Sequence, residues 1–287
     1  MRTHLRTAAV AASAAALTLG LAACGTDSDP SSNDDAGSSA GDTRKITVAA
    51  SPNPHAQILD FVRDNLAEDA GLDLTVQEFS DYVLPNTAVD SGEADANYFQ
   101  HQPYLDDFNA NHGTDIVPVV NVHLEPLGLY SKSLDSVEEL TEGSTIAIPD
   151  DASNGGRALQ LLAQNGVIEL KDGVGANAVL GDITDDKGIT FTELEAASLP
   201  RALDDFDAAI VNGNYALEVD LSPADDAIAL EEAEGNPYAN FLAVKAGHEN
   251  DPAVQTLAEL LNSDEVAQFI EDTYPGSVIP AFGTPGS

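Results

Sequence analysis

The chain has 287 residues, room for one large domain or two smaller lobes, and sets 49 acidic against 11 basic residues for a net charge of −38. A field of that sign repels nucleic acid and anionic lipid, and no basic stripe opposes it. The single cysteine excludes an internal disulfide framework. Arg2 and Arg6 precede an apolar run of small residues and leucine over 8–22, too short to span a bilayer comfortably and laid out as a secretory signal. The expected leader is residues 1–23. Without its two arginines, nine basic residues face the 49 acidic ones.

Leu21-Ala22-Ala23-Cys24 resembles a bacterial lipobox, which implies that Cys24 carries the acyl chains. Two or more chains give stable anchoring where one gives only marginal binding. Residues 24–43 lack any large apolar side chain and read as a disordered tether. The expected membrane contact is the lipid anchor alone, with the body outside the cytoplasm.

In the body, residues 45–50 read as a strand closed by Ser51-Pro52-Asn53-Pro54. Ile58, Leu59, Phe61, Val62 and Leu66 share one helical face. Strands follow at 72–79, 96–99 and 116–122, with helices at 84–91 and through Tyr104 and Phe108. Strand–helix alternation favours a parallel or mixed sheet with covering helices. A second set follows Pro126: strands at 145–148, 189–194 and 208–211, with helices at 154–164 and 199–206. A strand at 241–245 and helices from Ala253 and Glu265 then return to the first lobe. The expected division is 44–125 plus 236–287 for lobe 1 and 126–235 for lobe 2, with a small-molecule cleft between them.

Four apparent motifs fail on context. Gly37-Ser38-Ser39-Ala40-Gly41 matches the nucleophile elbow of serine hydrolases but lies in the tether. Residues 173–178 match a loose dinucleotide fingerprint without a preceding buried strand. Residues 182–193 have acids at calcium-loop positions, but Gly188 falls one place late. His101, His112 and His123 are spaced too widely for a helical metal pair. No catalytic set, metal site or cofactor is expected, and the chain does not read as an enzyme.

A zwitterionic ligand needs a cation or amide donors for its carboxylate and oxygen acceptors for its ammonium. Arg157 follows Ser153-Asn154-Gly155-Gly156 at a helix start, where backbone donors and the guanidinium would converge on one anion. On the pattern alone it reads equally as a surface arginine balancing acids.

Several stretches, in order, resemble the methionine-binding lipoproteins of the NlpA/MetQ type. They include PHAQIL (54–59), DYVLPN (81–86), DANYFQHQPYL (95–105), IAIPDDASN (146–154), GRAL (156–159), LPRAL (199–203), NGNYA (212–216) and PYAN (237–240). The resemblance implies an α/β, two-lobed fold of the periplasmic-binding-protein type, type II-like, with mixed sheets and flanking helices. It implies a solute-binding component that hands L-methionine to an ATP-binding-cassette permease and its ATPase, with another small amino acid or a methionine-containing dipeptide as the alternative ligand. A monomer is expected. It also implies that Arg157 holds the ligand carboxylate, Asn212 and Asn240 fix the polar end, and Tyr82, Phe99 and His101 wall the thioether. Core packing for Phe99, a structural role for His101 and a turn cap for Asn240 are the plainer alternatives. The acidity and Gly155 depart from the family's pattern.

Overall fold

The computed structural model describes residues 43–285. The leader, Cys24, the tether and the 37–41 motif lie outside them.

Lobe 1 opens with β1 (Arg44–Ala50), α1 (Gln57–Asn65), β2 (Leu72–Glu78), α2 (Leu84–Ser91), β3 (Ala96–His101), α3 (Gln102–His112) and β4 (Ile116–Leu124). The chain then crosses to β5 (Gly128–Tyr130), β6 (Thr145–Pro149) and α4 (Ala152–Gln164). A hairpin of β7 (Glu169–Leu170) and β8 (Ile183–Asp185) precedes β9 (Thr190–Leu194), α5 (Leu199–Ala202) and β10 (Ala208–Val211). Short α6 (Gly213–Leu217), α7 (Pro223–Asp226) and β11 (Ala229–Leu230) end this set. Crossing back, the chain forms β12 (Asn240–Lys245), α8 (Pro252–Leu261), α9 (Asp264–Thr273) and β13 (Ile279–Gly283).

Two sheets result. One has the order β13-β4-β12-β3-β1-β2 and the other β11-β5-β10-β6-β9. In each, parallel strands lie at one end (β3-β1-β2 and β10-β6-β9) and antiparallel partners extend the other. The strands of the first sheet come from 44–124 and 240–283 and those of the second from 128–230, so the chain crosses twice, at 125–127 and 231–239. The architecture is α/β with two lobes, as expected from strand–helix alternation.

The parallel order explains where a ligand can sit. The chain leaves β1 to place β2 on one side and β3 on the other; from β6 it places β9 and β10 likewise. Such reversal points open crevices beyond the carboxyl ends of the strands. In this chain, β3 ends in His101, β6 leads to Asn154 and β10 leads to Asn212.

Each lobe has its own core. Ile46, Val48, Ile58, Leu59, Val62 and Leu257 pack together in lobe 1, as do Ile146, Ile148, Leu159, Leu162 and Ile210 in lobe 2. β3 is buried along its whole length. Its polar residues therefore need partners: Asn97 Nδ2 and Gln100 Nε2 donate to Asn86 Oδ1 at 2.8 and 2.7 Å, which pins α2 to β3.

Several expected bounds shift. The helix expected at 199–206 stops at Ala202, because residues 203–206 turn to bring Asp207 against Thr145, whose backbone N–H donates to the carboxylate at 2.8 Å. β5, β11, the β7–β8 hairpin, α6 and β13 are additions: most are too short to show a period, and β13 carries Pro280 within an otherwise apolar run. Residues 173–178 form a loop with one 3₁₀ turn, and 182–193 hold β8 and most of β9 rather than an ion loop.

Gly156 shows how tightly α4 is seated. A Cβ there would lie 2.1 Å from the Ala176 carbonyl oxygen, a backbone atom that has no rotamer to escape into. We expect Gly156→Ala to destabilise the fold by about 1–3 kcal/mol, despite the helix propensity gained, when unfolding is followed in urea.

Candidate functional site

Between the lobes lies a small cavity. Tyr82, Phe99, His101, Arg157, Asn212 and Asn240, expected from the sequence to share a site, all line it. So do Gln100, Tyr104, Glu125, Asn154, Gly213 and Asn214.

The lobe 1 wall is aromatic. Tyr82 stands 5.9 Å from Phe99 and 5.7 Å from Tyr104, ring centre to ring centre, and the Tyr104 hydroxyl donates to the Tyr82 carbonyl at 2.9 Å. Phe99 and His101 stand two residues apart on β3, so the strand's period of two places both side chains on the cavity side. His101 also starts α3: its Nδ1 accepts the Tyr104 backbone N–H at 3.3 Å. That leaves Nε2 as the donor, and it meets Asn154 Oδ1 of the other lobe at 3.2 Å. Burial, and then the nearby Arg157 charge, push the His101 pKa down to about 3.

The polar end comes from lobe 2 and the crossing segments. Asp151 caps α4, accepting from the Asn154 backbone N–H at 2.9 Å and from Asn154 Nδ2 at 3.0 Å. Asn154 Oδ1 is thereby turned to accept Asn212 Nδ2 at 3.0 Å. The chain of bonds leaves Asn212 Oδ1 buried without a partner. Asn214 is the converse case: its Oδ1 accepts the Tyr82 hydroxyl at 2.5 Å, across the lobes, and its Nδ2 is buried and unpartnered.

Arg157 differs from the expectation in two respects. α4 begins at Ala152, so Arg157 sits in its second turn, and Asp151 already takes the Asn154 backbone donor of the first turn. One edge of the guanidinium is also engaged: Nε and Nη2 donate to Glu231 at 2.9 and 2.5 Å, and Nη2 donates to the Glu125 carbonyl at 3.0 Å. The Tyr238 ring lies 4.1 Å beneath it. Nη1 alone has no partner among the described residues. Gly155, the residue that departs from the family's pattern, is buried in the first turn, where a Cβ would stand 3.0 Å from the Pro149 carbonyl oxygen.

Asn240 lines the cavity, but its Oδ1 meets His55 Nε2 at 3.0 Å and its Nδ2 the Tyr238 carbonyl at 3.4 Å. His55, His123 and Glu125 place one ligand atom each within 4.8 Å, the metal-competent grouping among the described residues. Spacing does not disclose it, since His55 lies about 70 residues before the His123–Glu125 pair at the end of β4. Each member is already engaged: His123 Nε2 meets Glu125 Oε1 at 2.7 Å, while its Nδ1 is bonded to the Tyr98 hydroxyl. His112 is remote, stacked on Phe108.

Gln100, Tyr104, Glu125, Asn154 and Gly213 are the cavity residues that sequence reasoning left out, and Asn214 entered it only as a second choice. Asn154 and Asn214 lie inside the stretches that carry the resemblance. Glu125 had one legible signal, an acid immediately before the proline that opens the second lobe.

A family model for NlpA lipoprotein matches residues 46–282. The methionine-binding lipoprotein MetQ of Bacillus subtilis is 37% identical over 265 residues, 91% of this chain and 93% of its own. The D-methionine-binding lipoprotein MetQ of Escherichia coli K12 is 36% identical over 83% of this chain and 89% of its own. A nutrient-binding protein from Burkholderia cenocepacia, solved bound to methionine, is 44% identical with a TM-score of 0.80, covering 83% of this chain and 100% of that one. The family match runs from the first strand to the last, and a solved relative superimposes on that same two-lobed body: the chain belongs to the NlpA lipoprotein family.

Proposed function

We propose that this protein captures free L-methionine between its lobes and delivers it to an ATP-binding-cassette permease with its ATPase, performing no chemistry on it. One observation carries the reading: a closed cavity in which unpartnered donors and an unpartnered acceptor face an aromatic wall. Arg157 Nη1 and Asn214 Nδ2 are free to donate to a carboxylate, and Asn212 Oδ1 is free to accept from an ammonium. Buried polar groups without partners are costly, so a ligand that completes them is strongly selected. Tyr82, Phe99 and Tyr104 suit a thioether, whose sulfur gains about 0.3–1.5 kcal/mol on an aromatic edge. His101 holds Asn154 in place, and Asn240 closes the wall beside His55. Lobe-to-lobe bonds from Tyr82 to Asn214 and from Tyr215 to the Ser80 carbonyl would form on hinge closure. The relatives named for methionine or D-methionine support the same ligand.

Mass spectrometry of small molecules released from purified protein, followed by calorimetry with both enantiomers, tests the reading. Bound methionine with tighter binding of the L-form is the expected result; a dipeptide mass, or no methionine binding, would overturn it.

No helix among the described residues is long and apolar enough to cross a membrane. Cys24 is the proposed anchor. Cys24→Ser should move the protein from the membrane fraction to the soluble one and leave methionine affinity within about twofold, because the residues named above as lining the cavity all come from the body, between Tyr82 and Asn240. Persistence in the membrane pellet would remove the anchor assignment.

A further inference from the structure

We infer that Glu125 is the counter-ion of the ligand's α-ammonium, which makes the site selective for free amino acids over N-acylated ones and over dipeptides. The inference rests on the amino-acid reading above and names the group that recognises the amine.

Glu125 stands where the chain first crosses between lobes, only 6% exposed and in the cavity wall. Its carboxylate is held at defined points. Oε1 takes His123 Nε2 at 2.7 Å and faces His55 Nε2 at 3.3 Å. The backbone N–H of Asn214 faces the carboxylate and favours its charged form. Oε2 lies against Gly213, where a Cβ would come within 2.9 Å. Glycine there lets the α6 turn close over the acid without displacing it.

What the carboxylate lacks is a permanent cation. No lysine or arginine forms an ion pair with it among the described residues; its ionic neighbours are the two histidines. Burial pushes His55 down to about 4 and His123 to about 3, so both rings are neutral near pH 7. Arg157 gives Nη2 to the Glu125 backbone carbonyl rather than to the carboxylate, and commits its Nε edge to Glu231. A buried anion without a counter-charge is expensive even when hydrogen-bonded, and the carboxyl is pushed up accordingly, by burial above all. A ligand ammonium supplies the missing charge, with Asn212 Oδ1 as a second acceptor.

The charge balance defines the substrate class. Arg157 and Glu231 cancel each other, and a zwitterion brings a cation to Glu125 while its carboxylate shares Arg157. An N-acyl group removes that cation and adds bulk to an enclosed space. A dipeptide ending in methionine places an amide nitrogen where the ammonium is needed.

The test is calorimetry on the full-length protein in detergent micelles, stripped of co-purified ligand, with L-methionine and with 4-(methylsulfanyl)butanoate, which differs only in lacking the amine. The native protein should bind methionine at least about 30-fold more tightly than the desamino acid, the scale of losing one partner of a buried charge pair. Glu125→Gln should abolish most of that preference, weakening methionine by about 30-fold or more while changing the desamino acid by less than about threefold. Equal binding of the two ligands by the native protein overturns the inference without any variant having to fold. Equal loss of both ligands in Glu125→Gln overturns it too, since the residue then acts only on structure. If the native protein fails to bind methionine, the capture reading itself falls, and this is seen before any comparison of ligands.

Discussion

Arg157→Ala is expected to weaken methionine binding by about 2–5 kcal/mol, roughly 30-fold to several-thousand-fold, and to lower the unfolding midpoint at the same time. Two different bonds are lost. Toward the ligand, the expected loss is the proposed Nη1 contact; the Nε–Nη2 edge of the guanidinium is held by Glu231. Toward the fold, Glu231 is left with 13% of its side chain exposed and no cation beside it. Removing one member of a buried pair leaves the other charge uncompensated, whereas replacing both by neutral groups is far less costly. The double variant Arg157→Met with Glu231→Gln should therefore recover most of the melting temperature and none of the affinity. Calorimetry and thermal unfolding, run on both variants, separate the two effects. Recovery of affinity in the double variant would mean that Arg157 serves only the fold.

Acid should unfold the ligand-free protein steeply between about pH 6.5 and pH 4. Burial holds His55 near 4 and both His101 and His123 near 3, below the ordinary value of 6.5. In that window the unfolded chain binds three protons that the folded chain excludes. Stability is thus fully present above pH 6.5 and is lost as the pH falls toward the folded values. Three such sites give a limiting slope of about 4 kcal/mol per pH unit. Glu125 and Asp151, both raised by burial, act in the opposite sense and offset part of it. The remainder is large beside a typical total stability of about 5–15 kcal/mol. Unfolding free energies from urea melts across the window check the slope. His123→Gln, which can still donate toward Glu125, should reduce it by about 1.4 kcal/mol per pH unit. An unchanged slope would show that His123 is protonated in the folded state.

The lobes and most of their elements were legible because amphipathic periods and β-branched runs are local properties. Ile58, Leu59 and Val62 announce the buried face of α1, and residues 116–122 announce most of β4, without reference to anything distant. The cavity residues were legible for another reason: Tyr82, Phe99, His101, Arg157, Asn212 and Asn240 lie in ordered stretches that mark the family. What no local pattern carries is which atoms remain free once the lobes meet. The sequence alone determines that an arginine and two asparagines are at hand. Only the tertiary structure decides that Glu231, 74 residues away, occupies one edge of Arg157, and that His55 takes Asn240 across 185 residues. The same holds for Glu125, one acid among 49 in the chain. Its exclusion from water, and its lack of an ion pair with lysine or arginine among the described residues, arise where β4, the turn before α1 and the start of α6 converge. Hydrogen-bond partners and burial are set by such convergence, because each polar group forms its bonds with whatever the packed fold places within about 3 Å.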